Sequence, residues 1–235
     1  MTIVAIHQPN LFPWLGYFDK MVRADRFVFL DGVQMPLTGS SYVNRVNILA
    51  EGKARAIQIP TVRGSEARRL IATTPMADQP KWREKLFRTI QQAYARAPFA
   101  PEILTTLEPL VIDAANHLGP YNENAIRALG AKIGIPEQKF ARSTQLNVAG
   151  SSNNLLIDIV KACGGDAYLA GGGAGGYQDD TAFAAAGLKV VYQSFSHPTY
   201  PQLGKQDFVP GLSIIDSLMN LGFQGTSNLL DAASR

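Results

Sequence analysis

Two side chains suited to proton transfer each follow a run of residues that is typical of a buried strand. His7 comes directly after residues 2–6 and Asp31 after residues 26–30, with a predicted helix at residues 14–23 between them. A strand, a helix and a second strand within about thirty residues indicate a parallel βαβ unit, whose strands end at the same edge of the sheet. Ligands bind at that edge, so we expect His7 to be a general base or acid that Asp31 orients. The alternative is that His7 caps a helix and Asp31 a loop.

A third candidate for catalysis follows the last expected strand. His197 comes shortly after residues 188–193 and reaches the same edge if that strand is parallel. Tyr200 and Gln202 follow it and are expected to line the pocket. The three histidines of the chain lie on separate loops and match no zinc motif, so we predict no metal site. The single cysteine, Cys163, excludes an intramolecular disulfide and is expected to be a small buried apolar side chain.

A polar loop after the second strand offers the side chains that a neutral ligand needs. Amide groups both donate and accept hydrogen bonds, as sugar hydroxyls require, and the guanidinium of Arg45 suits a phosphate or a carboxylate. The same residue types would suit a solvent-exposed loop equally well. The candidate ligand-binding side chains of this loop are Gln34, Tyr42, Asn44, Arg45 and Asn47.

The glycine-rich residues 171–176 lie between an expected strand and an expected helix. Glycine lets backbone N–H groups approach a phosphate or an oxyanion, and we assign that role to Gly171, Gly172 and Gly173. The run lacks the Lys-Ser/Thr ending of a P-loop and does not match the dinucleotide fingerprint. A loop with only a structural role is therefore the alternative.

The composition excludes several classes of protein. Of the 235 residues, 46% are hydrophobic and 17% are charged, and the net charge is +3 without any Lys/Arg block, so we predict no nucleic-acid partner. No apolar run approaches the roughly 18 residues of a membrane span. The N-terminus lacks a basic region and a long apolar region, so we expect no signal peptide, no membrane insertion and a cytoplasmic location.

The remaining elements are predicted from periodicity and turn residues. Further strands are expected at residues 44–49 and 54–60, joined by a turn at Glu51-Gly52, and at residues 69–73, 140–146 and 166–170. Further helices are expected at residues 80–94, 102–117, 121–133, 153–163, 179–186 and 213–221, with a loose tail after Gly222. The chain divides into an N-terminal α/β half (1–75), a helical section (76–136), a C-terminal α/β half (137–223) and a tail (224–235), which together form one domain.

Several of these motifs resemble the WbqC-like protein family. The resemblance rests on His7-Gln8-Pro9-Asn10, on residues 13–20 and 24–31, and on Asn44-Arg45-Val46-Asn47-Ile48, and it extends to about residue 223. Members of that family occur in bacterial gene clusters for O-antigen and other surface polysaccharides, and in some natural-product pathways. One departure is Tyr42, which stands where members often carry Trp. The resemblance implies functional roles for His7, Gln8, Asn10, Asp31, Gln34, Asn44, Arg45, Asn47, Tyr177, His197, Tyr200 and Gln202.

The first thirty residues are also similar to the start of HIGH-type nucleotidyltransferases. The second histidine of that motif is absent, because Tyr17 follows Gly16, and no Lys-Met-Ser-Lys-Ser-like segment is present. This likeness implies a related fold and not adenylyl transfer. We therefore predict an α/β protein with a Rossmann-like three-layer core, a mainly parallel sheet and a helical middle section.

Three functions are compatible with these observations. The first is a transferase that moves an acyl or aminoacyl group from a thioester donor, on a carrier protein or CoA, to a nucleotide-linked amino sugar. Its partners would be a small sugar or nucleotide-sugar substrate and that carrier protein, and no other cofactor is implied. The alternatives are a nucleotidyltransferase-like nucleotide-binding enzyme and a non-catalytic binding protein of a glycan pathway. The sequence leaves the donor, the acceptor and the oligomeric state open.

Overall fold

A computed structural model describes residues 1–35, 41–62, 69–77, 81–172, 179–204 and 207–233. Its strands are β1 (Ile3–His7), β2 (Arg26–Phe29), β3 (Arg45–Ala50), β4 (Lys53–Gln58), β5 (Phe140–Arg142), β6 (Ala167–Ala170) and β7 (Lys189–Tyr192). Its α-helices are α1 (Leu15–Arg23), α2 (Trp82–Tyr94), α3 (Ala100–Val111), α4 (Leu118–Lys132), α5 (Ser152–Ala162), α6 (Asp180–Ala185) and α7 (Ile214–Ala233). None of these helices is both long enough and apolar enough to cross a membrane.

A five-stranded parallel sheet in the order β5-β2-β1-β6-β7 forms the centre of the molecule. From β1 the chain first adds strands on one side, β2 and then β5, and later adds β6 and β7 on the other side. The strand order therefore reverses between β1 and β6. This arrangement confirms the predicted α/β, Rossmann-like fold with a mainly parallel sheet.

Both faces of the sheet are covered, which explains why its central strands β2, β1 and β6 are largely apolar. On one face Ala5, Phe27 and Phe29 pack in the larger core with Tyr17 and Phe18 of α1. On the other face Val4, Ile6 and Val28 pack in a second core with residues of α5, α6 and β6. The sheet is thus the middle of three layers.

The hairpin β3–β4 lies outside this sheet and packs against the helical section. Its turn residues Glu51 and Gly52 both have positive φ, 53° and 73°, as a two-residue hairpin turn requires, so the predicted turn is confirmed. The buried face of the hairpin carries Val46, Ile48 and Ile57.

Three of the predicted elements are wrong in kind or extent. Ile71–Thr73 is a 3₁₀ turn and not a strand, and the predicted strand at residues 140–146 stops at Arg142, where a 3₁₀ turn begins. Helix α3 ends at Val111 and not near residue 117, because the Asp113 side chain accepts a hydrogen bond of 2.7 Å from the Ala115 N–H and starts a turn.

The predicted loose tail is helical instead. Gly222 has φ 71° and ψ −178°, which are not helical, so α7 consists of two helical segments that meet at a kink at this residue, and the second segment continues to Ala233. A Cβ at Gly222 would lie 2.8 Å from Cδ1 of Phe99, so glycine is required for this close packing. Thr226 and Leu230 are buried beyond the bend, so the C-terminal segment belongs to the core.

Candidate functional site

The candidate site lies where the strand order of the sheet reverses. His7 is the last residue of β1, and Gly171 and Gly172 directly follow β6, the neighbouring parallel strand. In open α/β sheets, ligands bind outside the carboxyl ends of the strands at such a switch point. We refer to the space beside His7, Gly171 and Gly172 as the switch-point crevice. The described part of the glycine-rich run thus lies beside His7.

The imidazole of His7 is held in its neutral form. Its Nδ1 lies 3.1 Å from the carbonyl oxygen of Gln8, and its ring packs against Tyr17 with centroids 4.7 Å apart. Burial and the positive charge of Lys20 lower the pKa of His7 to about 3. A carbonyl oxygen only accepts hydrogen bonds, so Nδ1 carries the proton and Nε2 is left as an acceptor.

Lys20 of α1 is the residue that sequence reasoning missed at this site. Its side chain is buried, with 3% of the residue exposed, and its ammonium donates a hydrogen bond of 2.9 Å to the carbonyl oxygen of Ile6. Burial lowers the pKa of Lys20 to about 8. A signal was present in the sequence, because Lys20 lies in the buried stripe formed with Tyr17, Met21 and Ala24 at helical spacing.

Asp31 follows β2 as predicted, but its side chain forms hydrogen bonds with Ser143 and Thr144 and not with His7. Its carboxylate accepts hydrogen bonds of 2.8 Å from Ser143 Oγ, 3.0 Å from the Thr144 N–H and 2.8 Å from Thr144 Oγ1. Across the described ranges no hydrogen bond joins Asp31 to His7. Asp31 therefore ties the end of β2 to the turn that follows β5, and the structure does not bring it together with the imidazole that it was expected to orient.

A cavity of about 270 Å³ lies on the loop between β1 and α1. Asn10 lines it and is 5% exposed, and its Oδ1 is buried without a hydrogen-bond partner among the described residues. The loop is fixed by two hydrogen bonds, from Tyr17 to the Gln8 carbonyl (3.0 Å) and from Asn122 to the Pro9 carbonyl (2.9 Å). The residues that line this Asn10 cavity are Asn10, Leu11, Pro13, Trp14, Tyr42, Val46 and Gly211.

The other amide residues of the predicted loop do not converge on the Asn10 cavity. Asn44 is buried and donates to the Ile59 carbonyl at 3.4 Å, which is a structural contact. Arg45 and Asn47 alternate with Val46 along β3, so their side chains lie on the face of the strand away from the cavity. Gln34 is exposed and pairs through its backbone with Leu70.

The predicted residues after the last strand, His197, Tyr200 and Gln202, lie beside Trp14 and the helix α7. The rings of His197 and Trp14 are stacked with centroids 6.2 Å apart, and burial lowers the pKa of His197. Tyr200 and Gln202, predicted to bind substrate, instead donate hydrogen bonds of 2.9 Å to the buried carboxylate of Asp216. Desolvation raises the pKa of that carboxylate. This group therefore supports Trp14, which forms part of the wall of the Asn10 cavity.

Two predicted residues, Gly173 and Tyr177, lie outside the described residues. Two larger concavities, of about 470 and 660 Å³, lie between β4 and α2 and share Arg55 and Thr89. Neither concavity is lined by a described residue that was predicted from the sequence to belong to the site.

Comparison with known proteins agrees with the motifs at the start of the chain. An uncharacterized protein of Mycobacterium tuberculosis, Rv1507c, is 27% identical over 232 residues, which cover 97% of this chain and 98% of the relative. No solved structure matches the chain. The model of the WbqC-like protein family matches residues 8–228, a range that includes the Asn10 cavity, Lys20 and the glycines after β6. The chain therefore belongs to the WbqC-like protein family.

Proposed function

We propose that the protein is a transferase of bacterial surface-glycan assembly, or of a related natural-product pathway, that moves an acyl or aminoacyl group from a thioester to a nucleotide-linked amino sugar. Membership in the WbqC-like family suggests a role in polysaccharide biosynthesis. The observation that carries the chemistry is the position of His7 at the end of β1, where its Nε2 is an acceptor at the sheet edge at which ligands bind.

The proposed reaction is a single acyl transfer. The neutral amine of the sugar attacks the thioester carbonyl, the C–N bond forms and the C–S bond breaks. His7 Nε2 accepts the proton that the amine loses and returns it to the departing thiolate, so the products are an amide and a free thiol. The backbone N–H groups after β6, at Gly171 and Gly172, are candidates for binding either the oxyanion on the thioester carbonyl or a phosphate group of the substrate.

The Asn10 cavity is the proposed site for the sugar ring. Sugar rings offer hydroxyl donors and an apolar face, and the cavity combines an unpaired amide oxygen with the rings of Trp14 and Tyr42. Tyr42 is 69% exposed, so its ring is available to cover a ligand. Asn10 and His7 lie three positions apart on one loop, which makes a ligand that spans the cavity and the crevice compatible with this assignment.

The test is a direct search for the amide. Purified protein is incubated with acyl thioesters of CoA and of a carrier protein, together with a panel of nucleotide-linked amino sugars, and the products are read by mass spectrometry. We expect an amide product that His7→Gln abolishes and that His117→Gln, at an exposed histidine, leaves unchanged. Full turnover by His7→Gln would remove its role in proton transfer, and the absence of product across the panel would refute acyl transfer.

A nucleotidyltransferase-like activity is the second candidate, because the switch point of a doubly wound sheet is a common nucleotide site. It predicts that ATP or CTP raises the melting temperature and that pyrophosphate is released when a sugar phosphate is added. Calorimetric binding of a sugar nucleotide without any product would instead support a non-catalytic binding protein of the pathway.

A further inference from the structure

We propose that the ammonium group of Lys20 binds a phosphate group of the ligand in the switch-point crevice. This inference rests on the proposed function only in that it places a nucleotide-linked substrate there. The inference identifies Lys20 as the residue that contacts this substrate and recognises its negative charge.

The first observation is that Lys20 is buried and that no carboxylate of the described residues forms an ion pair with it. Its three N–H donors have one acceptor among the described residues, the Ile6 carbonyl oxygen at 2.9 Å, and its ammonium lies 5.6 Å from the ring centre of Tyr168. The carboxylate of Asp19, next in the chain, is bound by Arg23 and Gln193 instead. A buried ammonium without a counter-ion is costly, and two of its donors have no acceptor in the described part of the chain, so we assign them to a ligand.

The second observation is the open space that faces this ammonium. If Gly171 carried a Cβ, its nearest neighbour would be Lys20 Nζ at 4.0 Å, and among the described residues a Cβ at Gly172 would meet nothing within 4 Å. The strand β6 is thus followed by two residues without side chains, the first of which faces the lysine. Atoms of a ligand can occupy this space and lie between the backbone and the ammonium.

A phosphate fits this arrangement better than a carboxylate does. Its oxygens point in tetrahedral directions, so one can accept from the Lys20 ammonium while others accept from backbone N–H groups of the adjoining glycines. A lysine binds phosphate as a point charge and needs no second side chain for this purpose. The diphosphate of a nucleotide-linked sugar supplies such a group, and inorganic pyrophosphate is its simplest probe.

Binding of the anion should be linked to proton uptake. The pKa of unliganded Lys20 is about 8, so at pH 8.5 much of it is neutral, and an anion beside it favours the charged form. The titratable groups beside it are His7 on β1 and Tyr168 on β6, with pKa values of about 3 and about 12, so both stay neutral at that pH. Pyrophosphate affinity should therefore fall as the pH rises above 8, and binding at pH 8.5 should take up a proton that binding at pH 6.5 does not.

The experiment is titration calorimetry of pyrophosphate and UDP in buffers of different ionisation enthalpy. We expect Lys20→Met to weaken binding by about 10- to 100-fold, the range of a charged hydrogen bond, and to remove the proton uptake at pH 8.5. Lys53→Met, at an exposed lysine of β4, should bind like the unmodified protein. Succinate is the comparison ligand that carries carboxylates in place of phosphates. An affinity for succinate equal to that for pyrophosphate would overturn the assignment to phosphate.

The stability of Lys20→Met decides between a ligand contact and a structural one. If Lys20 is kept for binding, removal of the buried charge should leave the melting temperature equal or higher. A markedly lower melting temperature would show that the bond to Ile6 holds β1 in place and would overturn the proposal, as would unchanged pyrophosphate affinity. These measurements need no thioester, so Lys20-dependent binding can hold even if no amide is ever formed.

Discussion

The imidazole ring of His7 lies against the phenol ring of Tyr17, with centroids 4.7 Å apart and planes inclined by 59°. Tyr17 also donates a hydrogen bond of 3.0 Å to the carbonyl of Gln8, the same oxygen that faces His7 Nδ1. The two side chains therefore close the first turn after β1 together. This packing covers part of the imidazole, and its partial burial together with the nearby charge of Lys20 keeps the ring neutral.

The first prediction concerns stability in acid. The pKa of His7 is about 3 in the folded protein and 6.5 in an unperturbed histidine, so the unfolded chain binds more protons between these values. The contribution of His7 is therefore fully present above pH 6.5 and is lost as the pH falls towards 3. We expect the unfolding free energy to drop by on the order of 2–4 kcal/mol across this range on account of His7. Urea unfolding at pH 7.5, 5.5 and 4.5 measures it.

Two variants separate this effect from general acid sensitivity. His7→Gln should unfold with a flatter dependence on pH, because glutamine does not titrate. His117→Gln, at an exposed histidine, should keep the steep dependence of the unmodified protein. An equally steep dependence in His7→Gln would mean that another group takes up the protons.

The second prediction concerns Asp31. Asp31→Ala removes the acceptor of three hydrogen bonds from Ser143 and Thr144, and we expect it to cost about 2–4 kcal/mol of unfolding free energy. The pKa of His7, followed by NMR, should stay low because the carboxylate is not its partner. Asp158→Ala, at an exposed position of α5, is the matched control and should leave stability nearly unchanged. A large rise or fall in the pKa of His7 in Asp31→Ala would instead support the predicted interaction between His7 and Asp31.

The contrast between His7 and Asp31 illustrates what the sequence could predict. Apolar strands with a helix between them are local patterns, so the parallel unit and the positions of both residues at strand ends could be predicted. The direction of the Asp31 side chain could not, because its partners Ser143 and Thr144 are more than a hundred positions away in the chain. Only the assembled sheet brings β5 beside β2.

The surroundings of Lys20 and Tyr200 could not be predicted from the sequence, for related reasons. A lysine side chain in an amphipathic helix is normally exposed to solvent. The sequence does not show that the part of α1 that contains Lys20 is buried by the rest of the protein. Tyr200 and Gln202 follow a strand and have the chemistry of ligand-binding side chains. Their acceptor, the carboxylate of Asp216, is buried by α7, and its burial follows from packing that no local pattern records.

The third prediction concerns this carboxylate. Tyr94, Tyr200 and Gln202 each donate a hydrogen bond of 2.9 Å to Asp216. Tyr200→Phe removes one of them and should cost about 1 kcal/mol, whereas Asp216→Ala leaves the buried hydroxyls of Tyr94 and Tyr200 without their acceptor and should cost about 2–5 kcal/mol. Urea unfolding provides both values.

The comparison for Tyr200 is Tyr192→Phe. The Tyr192 hydroxyl also donates to a carboxylate, that of Asp180, but the residue is 45% exposed, so we expect a loss below about 0.5 kcal/mol. If Tyr200 supports the fold and does not bind substrate, Tyr200→Phe should change the unfolding free energy and leave the KM of any confirmed substrate unchanged. A raised KM with unchanged stability would return Tyr200 to the list of ligand-binding residues.

The fourth prediction concerns Gly16 and the shape of the Asn10 cavity. A Cβ at Gly16 would lie 2.6 Å from Cζ2 of Trp14, a rigid ring that lines the cavity, so Gly16→Ala must displace the indole. We expect a loss of about 1–3 kcal/mol of unfolding free energy and weaker binding of the nucleotide-linked sugar. Gly130→Ala in α4 is the control, since its nearest contact would be an ordinary 3.6 Å and alanine favours the helix by about 1 kcal/mol. Wild-type affinity in a destabilised Gly16→Ala would mean that the Trp14 wall does not contact the sugar, and the ring of Tyr42 alone would then have to hold it.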